Sequence, residues 1–435
     1  MGRVPVPLGV PGWVTSDYAA FGVRPTLALQ FAKGRAWSIR GGAVTPESLL
    51  TVSRASAAYI DDLSGNWSSV NSGILRRTNK GALIEESRTN SLRNNSMQGA
   101  VAGTPGTLPT NWSATLAGLT QTVVGTGTAN GIDYVDIQFS GTTSGTGFQI
   151  GLETSTAIAA TTGQTWSASA FFALVGGDFT NITTIKWRLS ERTNVGGLVQ
   201  NDDGSDFKAS ITASLGRISQ ITTLSGGGTT ANLQPLISLG CNNTSAVNFT
   251  IRIGWPQLEL GAFATSPIRT TSAAATRASD VVTVTRLPGT GDTLTAYAAF
   301  IAPVSLGGVN RDVVVFADAG VTNTEILFIN PGSARNASQN ATASAASQGR
   351  IDVAAAFSAG ASVKAAFAAT LNDRAVTSNG GAVSTSGTNG AKPAFTTIGI
   401  GSDGSGNSIL NTYITDIAVW ASARIPNAGL IAGTT

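Results

Sequence analysis

The sequence contains no histidine and a single cysteine, Cys241, in 435 residues. The first absence excludes histidine-dependent hydrolase triads, His-bearing zinc sites and imidazole acid–base catalysis. The second excludes an intrachain disulfide and a thiolate metal cluster. Charge is scarce too: Asp, Glu, Lys and Arg make up 12% of the chain, and the formal net charge is +3. A nucleic-acid footprint needs clustered Lys and Arg to release counterions. The nearest cluster, Arg76, Arg77 and Lys80 followed by Arg88 and Arg93, is interrupted by Glu85 and Glu86, so no nucleic-acid partner is expected. No apolar run approaches the roughly 20 residues that cross a bilayer, so no membrane insertion is expected either. The stretch Met1 to Pro11 lacks the unbroken apolar core of a signal peptide, which points to release by lysis rather than secretion.

What is abundant is glycine, 52 residues of it, together with Ser, Thr, Ala and Asn. Such a chain is poor in charged helix surface and rich in turn formers, which favours many short strands. Its length allows roughly two to four domains, each with its own core. Residues 96 to 270 alternate as half-buried strands do: Val135, Ile137 and Phe139 on one face, likewise Trp166 to Leu174 at every second residue. Ile185, Trp187 and Leu189 oppose Lys186 and Arg188, and Phe249, Ile251, Ile253 and Trp255 oppose Thr250 and Arg252. Short strands of this kind pack as two antiparallel sheets, and a jelly roll is the natural reading. The same logic returns in 276–435, where Ile351 to Phe357 and Val363 to Ala369 read as a hairpin of alanine-rich strands, since the period is two and a glycine sits between. Pro46 to Leu50 suits a single helical turn, and Ile425 to Gly429 would begin a closing helix, weakened by Gly429. Residues 1–45 read as an extended arm, with Pro5, Pro7 and Pro11 against helix and Trp13, Tyr18 and Phe21 as apolar anchors. Composition leaves open whether it docks on another protein or folds back on its own domain.

Two phrases frame the middle of the chain. Ser53-Arg-Ala-Ser-Ala-Ala-Tyr-Ile-Asp61 comes first and Thr276-Arg-Ala-Ser-Asp280 returns the Arg-Ala-Ser core, with Leu83-Ile-Glu-Glu-Ser-Arg-Thr-Asn90 between them. Three of the phrases, Ser53 to Asp61, Leu83 to Asn90 and Gln257-Leu-Glu-Leu-Gly-Ala-Phe-Ala-Thr-Ser-Pro267, together resemble head- and tail-fibre adhesins of bacteriophages and gene-transfer particles. The resemblance implies an all-β chain: a docking arm over 1–45, a frame and connector over 46–95, a carbohydrate-binding-module-like jelly roll over 96–275 and a concanavalin-like sandwich over 276–435. It implies a location on the virion surface, a homotrimer, attachment to capsid, portal or tail proteins through the arm at Trp13, Tyr18 and Phe21, and a host cell-surface polysaccharide as ligand. In the frame, Arg54, Arg88 or Arg277 is expected to be held by Glu85 or Glu86.

Few residues are left to carry chemistry. A glycosidase needs two carboxylates facing each other across a sugar. The adjacent pairs Asp61-Asp62, Glu85-Glu86 and Asp202-Asp203 do not qualify, because neighbours on a strand point to opposite faces. Two loops, Asp202 to Asp206 and Asp403 to Asn407, place carboxylate, hydroxyl and amide oxygens around a glycine, which suits a hard cation. Polar hairpin tips look alike without any metal. Asp403 and Asn407 form the better calcium candidate, since the resemblance to concanavalin-like folds implies a site there. For a sugar, the expected contacts are Trp67, in the turn-rich Ser64 to Ser69, and the polar loop carrying Asp202, Asp203 and Asp206. The reading is a fibre or spike protein without enzymatic activity. The alternatives are a passive capsid or tail decoration protein and a glycan depolymerase.

Overall fold

The computed structural model describes residues 10–285, 289, 291–331 and 335–435; Pro5 and Pro7 of the expected arm lie outside them. The chain is all-β, and it divides into two compact units. One is built from Asn66–Ser68 and Arg88–Arg277, the other from the described residues up to Gly65, Ser69–Ser87 and Ala278–Thr435.

The contiguous unit is a jelly roll, and its strand order shows why. Eight strands follow in chain order: Ile132–Thr142, Gly147–Gly151, Thr165–Gly177, Ile182–Arg192, Leu198–Asp203, Gly216–Thr223, Asn232–Cys241 and Ala246–Leu260. In one sheet the first, eighth, third and sixth lie side by side; in the other the second, seventh, fourth and fifth. Such an order results when a long antiparallel ribbon, pairing first with eighth and fourth with fifth, wraps around a core as two Greek keys. The alternation in the sequence supplies that core. Val135, Ile137, Phe139, Ile185, Trp187, Leu189, Phe249, Ile251 and Ile253 are all at most 1% exposed. Phe172 meets Trp187 edge-on at 5.8 Å between ring centres. Trp255 departs from the pattern. Its φ of 36° marks a bulge, beyond which the strand's faces exchange and Leu258 takes over the inward position.

The discontinuous unit is a sandwich of a ten-stranded and a seven-stranded antiparallel sheet. Its core lies between them, with Phe300, Phe316, Phe367, Ile398 and Ile417 each at most 1% exposed. Both sheets join sequence from either side of the jelly roll. Leu50–Ser53 pairs with Val281–Val284, and the last strand, Thr412–Ala421, accepts Leu27–Gln30 on one edge and Gly81–Ile84 near its beginning. The segments read as arm and connector are therefore strands of this sandwich.

That corrects the extended arm. Gly12–Asp17 is a short helix and Ala19–Phe21 a 3₁₀ turn, with Tyr18 and Phe21 each 3% exposed against Tyr297 and Trp420. Burying two such rings is worth about 1.5–3 kcal/mol each, enough to draw the segment onto its own domain. The closing helix, Asn427–Thr434, covers the same site. Gly433 lies directly over the Phe21 ring, where any side chain would collide, which accounts for a glycine in a helix. The alanine-rich stretch also differs from expectation. Ser362–Thr370 is a strand as the period of two implies, but the strand expected over 351–357 ends at Asp352, having begun at Ala346, and the two lie in opposite sheets, so residues 353–361 cross between layers rather than turn a hairpin.

Candidate binding site

The outer face of the jelly roll's second sheet carries a groove of about 380 Å³. Its floor follows from strand register. One rung aligns Thr115, Gln149, Ser238 and Lys186 across four strands, because Thr115 faces Gln149, Gln149 faces Ser238, and Ser238 faces Lys186. The rung on one side is Gly147, Gly240 and Thr184. On the other side Leu236 faces Arg188, and Arg188 faces Asp203. The alternation that buries Ile185, Trp187 and Leu189 necessarily turns Lys186 and Arg188 outward.

The groove is polar and largely uncommitted. Among the described residues, the side chains of Thr115, Gln149, Thr184, Ser238 and Lys186 make no hydrogen bond to the protein. Arg188 is the exception. Its Nε and Nη2 donate to the two oxygens of Asp203 at 2.6 and 2.9 Å, and that hydrogen bonding holds Asp203 below the usual carboxylate range. Gly240 keeps the floor low, since a Cβ there would lie 2.6 Å from Thr184 Oγ1.

The expected ligand residues scatter. Asp203 sits on the groove, but Asp202 points inward at 9% exposed and accepts from Ser225 Oγ at 2.5 Å. Burial pushes Asp202 up, while neighbouring Glu191, despite its own burial, is held down by Thr230 Oγ1 at 2.6 Å and the Gly226 amide at 2.5 Å. Together the two acids fasten the Ser225–Thr230 loop to the sheet. Asp206 accepts from the Ile185 and Lys208 amides at 2.8 and 3.0 Å, which lower its pKa against its burial. Trp67 is half-buried, edge-on to Phe171 at 5.9 Å, and so is a packing residue rather than an open platform for a sugar.

The other candidates are also occupied. Asp403 Oδ1 accepts from the Ser405 and Asn407 amides at 2.8 and 3.0 Å, and Oδ2 from Asn407 Nδ2 at 2.8 Å, so the proposed calcium loop closes upon itself. Among the described residues no three acids, cysteines or histidines gather as a metal group. Of the docking anchors, Tyr18 donates to Asp416 Oδ1 at 2.5 Å, Phe21 is buried, and Trp13 lies beneath Arg35 at 4.4 Å. Tyr18 and Phe21 are spent inside the sandwich and cannot serve as free anchors, while Trp13 stays half-buried.

In the frame, Arg54 is held by Asp280 rather than by Glu85 or Glu86. Arg54 Nη1 donates to Asp280 Oδ1 at 2.7 Å, Arg76 Nη1 to Glu85 Oε2 at 2.7 Å, and Arg76 Nη2 to Asp280 Oδ2. Both guanidinium groups are buried, and Asp280 is shared between them. Glu86 accepts from Arg311 at 2.9 Å and from Asn411 Nδ2 at 2.8 Å. Arg88, Thr89 and Asn90 pair with Arg277, Thr276 and Ala275, which closes the jelly roll where its chain begins and ends, and Arg88 also donates to the Leu260 carbonyl. Arg277 is 1% exposed. Asp280 was visible in the returning phrase only as the residue after Arg-Ala-Ser. Arg76 stands in the sequence only as one member of a basic cluster with Arg77 and Lys80.

No family model and no curated protein matches this chain. Several solved structures are similar in part. The carbohydrate-binding module of Ruminococcus gnavus IT-sialidase, bound to α2,3 sialyllactose, is 15% identical over 34% of this chain and 84% of its own, with a TM-score of 0.29. Domains LG4-5 of the mouse laminin α1 chain are 11% identical over 62% of this chain and 87% of theirs, at 0.25. The tripod from the baseplate of bacteriophage Tuc2009 is 12% identical over 70% of this chain and 97% of its own, at 0.27. Scores this low carry no argument about function.

Proposed function

We propose that this chain is a non-catalytic protein of a phage-like particle's surface, a homotrimeric fibre or spike, whose jelly roll displays a saccharide-binding groove. The observation that carries the binding role is the groove floor: five polar side chains aligned by register and left without partners inside the protein. Hydroxyl and amide groups at strand spacing match the hydroxyl-rich face of a sugar, and a shallow site suits one stretch of a long polymer. Binding is favoured over hydrolysis because Asp203 is the only carboxylate among the residues lining the groove, and both its oxygens are taken by Arg188. Hydrolysis requires two. The particle assignment rests on the three phrases that resemble fibre adhesins.

The test is competition. Protein clustered on beads should bind host cells and block adsorption of particles, and stripping surface polysaccharide should abolish both effects. Clustering matters because linked weak sites gain about 10² to 10⁴ in avidity. Gln149→Ala with Ser238→Ala should weaken bead binding. If clustered protein neither binds nor competes, the passive decoration role replaces this one.

A further inference from the structure

We infer that the groove takes an acidic polysaccharide, one whose sugars carry carboxylate or sulfate, with the Lys186 ammonium as the anion contact; this rests on the saccharide-binding reading above. The floor carries two cations and one carboxylate, and Arg188 already neutralises that carboxylate through two hydrogen bonds. Lys186 is left over. Its neighbour across the strand is Ser238, and its ammonium has no hydrogen-bond or ion-pair partner among the described residues. Asp203 and Asp206 feel its charge at longer range, but their oxygens are committed to Arg188 and to backbone amides.

The missing platform points the same way. No aromatic ring opens onto the groove: Phe148 lines it while only 3% exposed, its ring turned to the core beside Phe139. A neutral sugar would therefore be held by neutral hydrogen bonds alone, each exchanged for one with water and of small net value. A bond from an ammonium to an anionic oxygen is roughly twice as strong. In a groove without stacking, that difference decides which class of sugar is retained. Gln149, Ser238 and Thr184 then read ring hydroxyls around the anion, and the Gly147–Gly240 step lets a ring lie close to the backbone.

The test uses the full chain clustered on a sensor surface, with four polymers: polygalacturonate, its methyl ester, dextran sulfate and dextran. Binding to polygalacturonate or dextran sulfate, without binding to the ester or to dextran, is expected, and the two charged polymers distinguish carboxylate from sulfate. Lys186→Met should weaken retention about tenfold, ~1.4 kcal/mol, with unchanged thermal unfolding. Lys208→Met, which removes a cation outside the groove, should leave it unchanged. If the ester and dextran bind as well as the charged polymers, and Gln149→Ala weakens all of them, the acidic class is wrong while the groove stands. Equal losses from Lys186→Met and Lys208→Met mean diffuse charge attraction and also overturn the inference. If none of the four binds, and cells are not bound either, the saccharide-binding reading itself falls.

Discussion

The two sandwiches solve the same problem by different means. Apart from Asn66–Ser68 the jelly roll is one continuous stretch of chain, and its register follows from aromatic and branched side chains alternating along long strands. The discontinuous sandwich must bring together segments from either side of that insertion. Hydrophobic alternation alone specifies such pairing poorly, because a strand slipped by two residues still faces inward. At that seam the fold places buried charge. Arg54, Arg76, Glu85 and Asp280 have side chains at most 7% exposed, and they come from both sides of the insertion. In the jelly roll, the pairs Arg188–Asp203, Arg252–Asp136 and Arg269–Asp133 stay open to water on both sides, and in Arg93–Glu153 the carboxylate is buried but the guanidinium remains exposed. The difference teaches that a buried ion network can act as a register pin where the chain supplies no continuity. Desolvating ions is costly, and specificity of pairing is what such a network returns.

The sharpest way to break this comparison is Asp280→Ala. It strips the shared carboxylate from two buried guanidinium groups, and the expected loss is about 3–5 kcal/mol in urea denaturation. A loss under about 1 kcal/mol would leave the seam held by hydrophobic packing alone. Glu85→Ala should rank next, because Arg76 keeps Asp280 as a partner. Glu86→Ala should cost less again, within about 1 kcal/mol, since its side chain is 26% exposed and Arg311 retains carbonyl partners at Leu306 and Ile409. Equal effects at 85 and 86 would contradict the assignment of partners.

The same sandwich should respond to pH. Burial pushes Asp312 up to about 7, with repulsion from Asp403 adding to it, and pushes Asp416 up to about 7 despite its bonds to Tyr18 and Gln30. The folded state thus keeps protons that the unfolded chain releases near 3.8. Stability from this source is fully present below the unfolded value near 3.8 and is lost as pH rises through about 7. Asp17 and Asp318, held at about 2, act in the opposite sense but only on the acid side of that window. Urea midpoints measured across the window should fall as pH rises, and Asp416→Asn should flatten part of the slope. A rising midpoint would be the wrong sign.

The sequence made much of this legible, and the misses have physical causes. Alternation marked the jelly-roll strands because each has one dry face, and it also turned Lys186 outward, although nothing in the sequence aligned it with Gln149 and Ser238. That alignment depends on cross-strand register, which local pattern does not contain. The frame phrases pointed to a seam, but not to Asp280 as its hub, because charge partners are chosen by spatial pairing. The apolar anchors of residues 13–21 were visible; their destination was not, since an exposed docking patch and a buried lid have the same composition. The alanine-rich strands likewise showed their period while concealing that they belong to opposite sheets.

The smallest expected effect supplies the control for the largest. Asp136 accepts two hydrogen bonds from Arg252, at 2.8 and 2.9 Å, and the guanidinium also lies 3.5 Å from the Tyr134 ring centre. By contact geometry this pair is as well made as the Arg54–Asp280 pair, so geometry alone would predict a similar loss on removing the carboxylate. Exposure predicts otherwise. With side chains 21% and 14% exposed, Arg252 can recover water and keeps its ring contact when its partner goes. Asp136→Ala should therefore cost less than about 1 kcal/mol, against several for Asp280→Ala. A double-mutant cycle with Arg252→Met should return a coupling of the same small size. If Asp136→Ala proves as damaging as Asp280→Ala, then hydrogen-bond geometry rather than burial sets the strength of these pairs, and the contrast between the two sandwiches disappears.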